Sequence, residues 1–383
     1  MQRIATRPRP NWQQKVEEKG LTFHTPGGTP YWNESAYYRF NAQQIDILEA
    51  AANECHTMCI EAATNVVDNE RWEELGIPEA AIPAILRSWE RDDFSLYGRF
   101  DFSYDGVNPP KMLEYNADTP TSLVEAAVVQ WFWLQDKFPN ADQFNSIHEK
   151  LIAAWKTFKA KGHERIVHLG GVKENDEDFR NVQYIADTCH QAGLETKQLF
   201  IEDIGWNEGK RRFVDLDENT VTSFFKLYPW EWMFHEAFWI HFQDEDPGQF
   251  IEPAWKALLS NKGLLPILWE LYPNHPYLLP AFYDAAELKN SGYVKKPKLS
   301  REGANIEIHD ATSGIPLKIV ETQGEYGEEG FVYQGLAKLP SFDGNHPVCG
   351  VWVVNHESCG LGVREDNSLV TGNLSRFVPH IFE

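Results

Sequence analysis

Two short segments hold side chains whose types and spacing could do chemistry. Residues 96–105 read LYGRFDFSYD and residues 111–118 read KMLEYNAD. An alternation of two places Arg99 and Asp101 on one face of a strand, and Glu114 and Asn116 on one face of the next. If those faces coincide, two carboxylates, an amide oxygen and a guanidinium converge. Carboxylates and an amide carbonyl are hard donors suited to Mg²⁺, which rarely takes an all-protein shell and usually bridges to substrate phosphates. Arg99 would then face a phosphoryl or acyl-phosphate oxygen, for which a planar fork is better matched than an ammonium. The same spacing also describes a solvated hairpin face with an ordinary Arg–Asp pair, and on spacing alone that is the simpler reading. Phe100, Phe102 and Tyr115 alternate with the polar set, so the opposite face is core.

A second cluster is GYVKKP at 292–297, followed by SREGAN at 300–305. A strand ending in lysines, then a short loop with Arg301, Glu302 and Gly303, can lay backbone N–H groups and positive charge over a triphosphate. Standing alone, it reads equally as a surface hairpin. Neither G-x-x-x-x-G-K-[ST] nor G-x-G-x-x-G occurs, so the common phosphate loops have no support. The five cysteines contain no Cys-x-x-Cys, which argues against a disulfide framework or zinc cluster. Cys55 and Cys59 share a helical face and read as buried small thiols. Cys359 lies three residues from His356 with no visible third partner, which reads as a strand end beside Arg364 rather than a nucleophile.

These residues need elements to hold them. Asp105-Gly106 and Asn108-Pro109-Pro110 supply the turn that makes the first two segments a β-hairpin. Asn41 with Gln44 opens a long helix that places Ile45, Leu48, Ala52 and Cys55 on one face. Helices are expected over Thr121–Asp136 and Ser146–Lys159. RIVHLGG, a helix near Phe179–Gly193, and ETKQLFIEDI form a β-α-β pattern. The aromatic run from Phe224 to Trp239 is core or a ligand cleft. Beyond Gly292 the chain turns strand-rich. No internal repeat or low-complexity segment is visible, and the class is α+β with at least two sheets.

The 383 residues carry 35 Lys+Arg against 57 Asp+Glu, a formal charge of −22. Such a chain repels phosphate backbones and anionic membranes, which argues against nucleic-acid or membrane partners. The longest apolar stretches, such as Val128–Leu134 and Gly263–Trp269, are far short of the roughly 18 residues of a membrane span. The N-terminus has basic residues but no apolar core behind them, so no export signal is readable. A cytoplasmic setting is the expectation.

RFDF at 99–102, LEYNADTPTS at 113–122, NKGLLPILWELYPNHPYLL at 261–279, GYVKKP at 292–297 with REG at 301–303, and REDNSLVTGNLSRFVPH at 364–380 together resemble the synthetase domain of the glutathionylspermidine synthase family. The resemblance runs in order from about residue 20 to the end. It implies an ATP-grasp fold with permuted lobe order and a pre-ATP-grasp-like α/β subdomain. It also implies ATP and Mg²⁺ as cofactors, with small-molecule carboxylate and amine substrates joined through an acyl phosphate. The expected division is an extended arm over 1–40, a metal-binding part of the core over 41–145, an α/β substrate-side subdomain over 146–255, and an ATP-binding lobe with lid loop over 256–383.

By matching motif, the resemblance makes Asp101, Glu114 and Asn116 the Mg²⁺ ligands, and Arg99 the stabiliser of the acyl phosphate and tetrahedral species. Lys262 and Lys296 would hold ATP phosphates, with Arg301 and Gly303 in the lid loop, Tyr333 and Gln334 along the adenine, and Arg364 as a second phosphate-side arginine. Thr119 and Ser122 would touch substrate. Glu177 and Asp178 resemble the family's polyamine-binding acids. Spacing and resemblance pick the same hairpin residues, which favours the chemical reading over the solvated face.

The departures are as informative. Lys226–Glu231 (KLYPWE) lies where family synthetases have small hydroxyl residues for the peptide substrate, and Leu227 and Pro229 cannot donate those hydrogen bonds. Glutathione is therefore not expected as the acid, whereas Glu177 and Asp178 still point to a cationic amine. Bifunctional members carry a cysteine amidase ahead of the Arg99 motif, and the segment before it here is too short for one, so amide hydrolysis is not expected. Two other readings compete. One is a non-catalytic ATP-binding scaffold of the same fold. The other is a carbohydrate-active enzyme with Asp101 and Glu114 as acid and nucleophile, which leaves Lys296, Arg301 and Arg364 without a task.

Overall fold

The computed structural model describes residues 1–162, 166–243, 247–311 and 314–383. The hairpin forms as Tyr97–Ser103 paired antiparallel with Lys111–Asn116, with Arg99 opposite Asn116, Asp101 opposite Glu114, and a bulge just after Asp101. It is the edge of a five-stranded antiparallel sheet, the central sheet, continued by His346–Val354, Glu357–Asp366 and Arg376–Val378. Trp352 lies opposite Arg99, and Gly350 lies opposite Asp101.

One face of this sheet is apolar, as the alternation requires. Phe100, Phe102 and Tyr115 join Val351, Val353, Leu361 and Val363 in a core shared with the helix Ala42–Asp68, and the Phe100 and Tyr115 rings stack at 3.8 Å. That helix begins as expected. Asn41 Oδ1 accepts from Gln44 N–H at 2.8 Å, and Gln44 Oε1 accepts from Asn41 N–H at 3.1 Å. A reciprocal cap of this kind stabilises a helix start by about 1 kcal/mol. Its inward face buries Ile45, Leu48, Ala52, Cys55 and Cys59, and burial pushes both thiols up.

The β-α-β pattern builds a parallel four-stranded sheet in the order Gln249–Ile251, Ser223–Leu227, Ile166–Gly171, Glu195–Phe200, with the helix Asp176–Gln191 as crossover. Arg165, expected at the start of this unit, lies outside the described residues. A third sheet, the outer sheet, runs Ala281–Phe282, Phe331–Gly335, Tyr293–Pro297, Glu307–Asp310, Leu317–Glu321, all antiparallel. The first 40 residues carry a short helix, Trp12–Glu17, and two strands, Gln2–Ala5 and Ala36–Phe40. The second of these pairs in parallel with His380–Phe382, so the two termini share one sheet.

Two expectations are corrected or resolved. The helix expected from about Thr121 opens two residues later, at Leu123, passes through a π-helical stretch over Glu125–Val129 and continues as the α-helix Gln130–Lys137. Ser122 takes a left-handed φ of 67°, which no helix accommodates. Most of the aromatic run resolves as core, with Phe234 and Trp239 packed on Trp230, and Trp230 and Phe242 packed on Phe250, whereas Trp232 and Phe238 are exposed. Among the described residues, no helix is long and apolar enough to cross a membrane.

Candidate active site

The polar face of the central sheet and the inner face of the outer sheet line one cavity of about 440 Å³. Arg99, Asp101, Glu114 and Asn116 all point into it, together with Lys262, Lys296, Arg301 and Arg364. The hairpin faces therefore do coincide.

Arg99 grips Asp101 with two prongs, Nε to Oδ1 at 2.7 Å and Nη2 to Oδ2 at 3.0 Å, and its Nη1 donates to the Thr121 carbonyl at 2.7 Å. The guanidinium lies 5.8 Å from the Trp352 ring. Glycine is needed across the strand, because a Cβ at Gly350 would sit 2.9 Å from Arg99 Cδ. Although burial opposes it, the Asp101 carboxylate holds the Arg99 pKa above its ordinary value.

Asn116 Nδ2 donates to Asp101 Oδ2 at 3.3 Å and to Glu114 Oε1 at 3.2 Å, so the two acids and the amide form one cluster. Lys262 Nζ stands 3.3 Å from Glu114 Oε2. Burial pushes Glu114 up, but the ammonium groups of Lys262 and Lys296 outweigh it and hold the carboxyl at about 2. Two carboxylates and one amide oxygen on adjacent strands fit a Mg²⁺ ion that completes its shell with phosphate and water. No group of three or more His, Cys, Asp or Glu side chains able to hold a metal occurs among the described residues. The carboxylates of an all-acid site are thus not what this cavity offers; its hard-donor set needs the amide and a ligand.

The lysines come from two elements. Lys262 follows the helix Lys256–Ser260, and its Nζ donates to the Ser300 carbonyl at 3.0 Å. Lys296 projects from the outer sheet and donates to the Leu113 carbonyl at 2.9 Å and to Gln334 Oε1 at 2.8 Å. Burial pushes Lys296 down to about 8. Gln334 lines the cavity, whereas Tyr333, one residue earlier, turns to the other face of the strand and packs edge-on against Tyr293 at 5.8 Å. Val294, Ile308 and Leu336 form an apolar wall beside Lys296, suited to a flat ring system.

Arg301 Nη1 donates to Thr119 Oγ1 at 2.6 Å, and Nη2 donates to Glu231 Oε1 at 3.0 Å. Gly303 has a φ of +69°, and a Cβ there would meet Thr371 O at 2.8 Å, so the loop's close approach to residues 370–371 requires glycine. Arg364 Nη2 donates to the carbonyls of Gly372, Asn373 and Ser375 at 2.7, 2.9 and 3.1 Å. Ser122 lines the cavity, and its hydroxyl meets Tyr31 at 3.0 Å.

Glu177 and Asp178 sit just outside the cavity lining, in the first turn of the helix Asp176–Gln191. They nevertheless feel its charges. Burial raises Glu177, opposed by Arg364, and burial with Glu177 beside it raises Asp178 to about 7. Glu125 joins this acidic corner; burial and Glu177 raise it to about 7, and Tyr31 donates to it at 2.8 Å.

Sequence reasoning missed four contributors: Glu231 as the partner of Arg301, Glu125 in the acidic corner, Trp352 beneath Arg99, and Lys226. Lys226 is fully buried and donates to Asp118 Oδ1 at 2.6 Å, while Asp118 Oδ2 accepts from Trp230 N–H at 2.9 Å. This pair ties the loop after Asn116 to the parallel sheet. Leu227 is in the core and does not line the cavity. His356 Nδ1 meets His56 at 2.9 Å, and Cys359 Sγ meets the Trp352 carbonyl at 3.6 Å, so each is engaged elsewhere.

Residues 3–383 match the family model described as glutathionylspermidine synthase preATP-grasp. The chain is 44% identical to a Haemophilus influenzae protein named "Putative acid--amine ligase", over the full length of both. It is 32% identical to trypanothione synthetase of Crithidia fasciculata, over 86% of this chain and 54% of that one. It is 29% identical to the bifunctional glutathionylspermidine synthetase/amidase of Escherichia coli, over 90% of this chain and 59% of that one. The chain therefore spans little more than half of those two relatives. In structure it resembles a glutathione synthetase-like effector from Globodera pallida, with a TM-score of 0.57 at 10% identity, over 99% of this chain and 100% of that one. The mixed α+β fold is thus of glutathione-synthetase-like type.

Proposed function

The chain belongs to the glutathionylspermidine synthase family, and from that premise we propose that it is an ATP- and Mg²⁺-dependent ligase that joins a carboxylate to a cationic amine through an acyl phosphate. The core is then an ATP-grasp core of permuted lobe order, in which the metal-binding strands precede the ATP lysines. The observation that carries this reading is the convergence, in one cavity, of Arg99, Asp101, Glu114 and Asn116 from one sheet with Lys296 from another and Lys262 between them.

Mg²⁺, when bound by Asp101, Glu114 and Asn116, would neutralise phosphate charge during transfer. Lys262 and Lys296 bind the phosphates of ATP, and Gln334 with the apolar wall receives its base. Arg99 leaves one prong of Asp101 to stabilise the oxygens of the acyl phosphate and of the tetrahedral species that follows amine attack. Arg364, fixed by three carbonyls, presents a second cation on that side. Thr119 and Ser122 contact the acid substrate.

The amine poses the harder problem. An alkylamine with a pKa near 10.4 must lose its proton to attack, which at neutral pH costs about 4.6 kcal/mol. An acidic site favours the charged form and would add to that cost. Glu177 and Asp178 therefore grip a distal ammonium, and the departing phosphate or a separate carboxylate takes the proton from the attacking nitrogen. The test is a screen of acid and amine pairs for ADP release, checked by the mass of the ligated product. Binding of MgATP without ADP release from any pair would overturn the ligase reading in favour of a nucleotide-binding scaffold.

A further inference from the structure

Arg301 stands on the loop between the strands Tyr293–Pro297 and Glu307–Asp310 of the outer sheet, where it faces the cavity. Its charge is already spoken for. Glu231 Oε1 accepts from Arg301 Nη2 at 3.0 Å and from Nε at 3.3 Å, Thr119 Oγ1 accepts from Nη1 at 2.6 Å, and the guanidinium lies 5.5 Å from the Trp232 ring. Glu231 belongs to a different part of the fold. It sits on the helical turn Trp230–Met233, directly after the parallel strand Ser223–Leu227.

That turn is itself anchored. Asp118 accepts from the Trp230 N–H and from buried Lys226, so the backbone beside Glu231 is tied to the loop that also carries Thr119. The two acceptors for Arg301 are therefore presented on one rigid corner. The positive-φ residues Glu302 and Gly303 immediately after Arg301 turn the loop, with Gly303 close against residues 370–371.

We propose that Glu231 is a positioning residue that fastens the 300–303 loop over the cavity through Arg301, and that it competes with nucleotide phosphate for the Arg301 guanidinium. The fastening rests on the contacts of Arg301 with Glu231 and Thr119; the competition rests on the nucleotide-binding role proposed above. Without nucleotide, the ion pair seats the loop. With a triphosphate in the cavity, a multiply charged anion offers the same fork a stronger partner, and the loop changes partner. The side chains of Glu231 and Arg301 are 14% and 30% exposed, so the pair shifts a population by about two- to fivefold rather than locking it.

The test uses the full chain and Glu231→Gln, with Glu231→Asp as the conservative control and Thr119→Val as a second release of the same arginine. Limited trypsin digestion, read by mass spectrometry at the Arg301–Glu302 bond, reports whether the loop is fastened. Cleavage in Glu231→Gln is expected to be about two- to fivefold faster than wild type, with Glu231→Asp restoring most of the protection and Thr119→Val lying between. A calorimetric titration with MgATP is expected to give binding tighter by about the same factor in Glu231→Gln, because the phosphate no longer displaces a carboxylate. Unchanged cleavage in both Glu231→Gln and Thr119→Val overturns the fastening, and MgATP binding that weakens in Glu231→Gln overturns the competition. If wild type does not bind MgATP, the nucleotide-binding reading fails and the digestion alone decides the fastening.

Discussion

Lys296 offers a sharp test of the site, because its charge state is set by where the fold puts it. The side chain is nearly buried, and the acceptors of its two hydrogen bonds, the Leu113 carbonyl and Gln334 Oε1, are both neutral. Burial lowers its pKa from 10.5 to about 8, only partly offset by Glu114. A shift of that size corresponds to about 3 kcal/mol of disfavour toward the ammonium. A bound triphosphate would supply the missing anion and return the pKa toward its ordinary range.

The consequence is proton uptake on binding. At pH 9 roughly one free molecule in ten would carry the proton on Lys296, and nearly every complex would, so MgATP binding should take up about 0.9 proton. At pH 7 the group is already mostly protonated, and uptake should fall to about 0.1. Calorimetric titrations in two buffers of different ionisation enthalpy, at each pH, measure this directly. Affinity should weaken as pH rises above about 8, by up to about tenfold per unit. The stability contribution has the opposite sign: between about 8 and 10.5 the unfolded chain holds more protons at this position, so the group favours folding increasingly as pH rises. Equal uptake at pH 7 and pH 9, or uptake preserved in Lys296→Met, would refute the assignment of Lys296 to phosphate.

Three further outcomes are expected. Arg99→Ala should lower turnover by about 10²-fold or more with little change in KM for ATP, as for a group acting mainly in the transition state; normal turnover would remove that role. Gly350→Ala should cut turnover by about tenfold or more, while the urea unfolding midpoint stays near wild type, because the new methyl displaces Arg99 from above without touching the core face. Lys226→Met leaves Asp118 as an uncompensated buried charge and should cost about 3–5 kcal/mol in urea denaturation; a loss under about 1 kcal/mol would mean the pair does not tie the two sheets.

The hairpin was legible because a strand's alternation is a local property. Arg99, Asp101, Glu114 and Asn116 fall on one face whatever lies beyond them. The same rule separates Gln334 from Tyr333, and applying it there would have put only the glutamine in the cavity. The long helix was legible from its cap and its apolar stripe. The later start of the next helix was not, because Ser122 adopts a left-handed conformation that its residue type does not announce. Glu231 and Lys226 lie in the KLYPWE segment, yet what defines them is the partner each meets across the fold, Arg301 and Asp118. Pairings of that kind are fixed by tertiary topology, and no local pattern carries them. The neighbour of the hairpin in the central sheet, His346–Val354, is hidden for the same reason.

That last pairing governs the order in which the protein can be made. As the chain leaves the ribosome, Tyr97–Ser103 can pair with Lys111–Asn116 at once, but its other edge must wait for His346–Val354. Until then a strand bearing Phe100 and Phe102 presents open backbone groups, the condition that invites pairing with the wrong chain. The strands of the parallel sheet are all made by Ile251, so that sheet can form in the interval while the sheet that lines the cavity is still half built. Yield of active protein should therefore respond to expression temperature and to chaperones more strongly than the thermal stability of the finished molecule suggests.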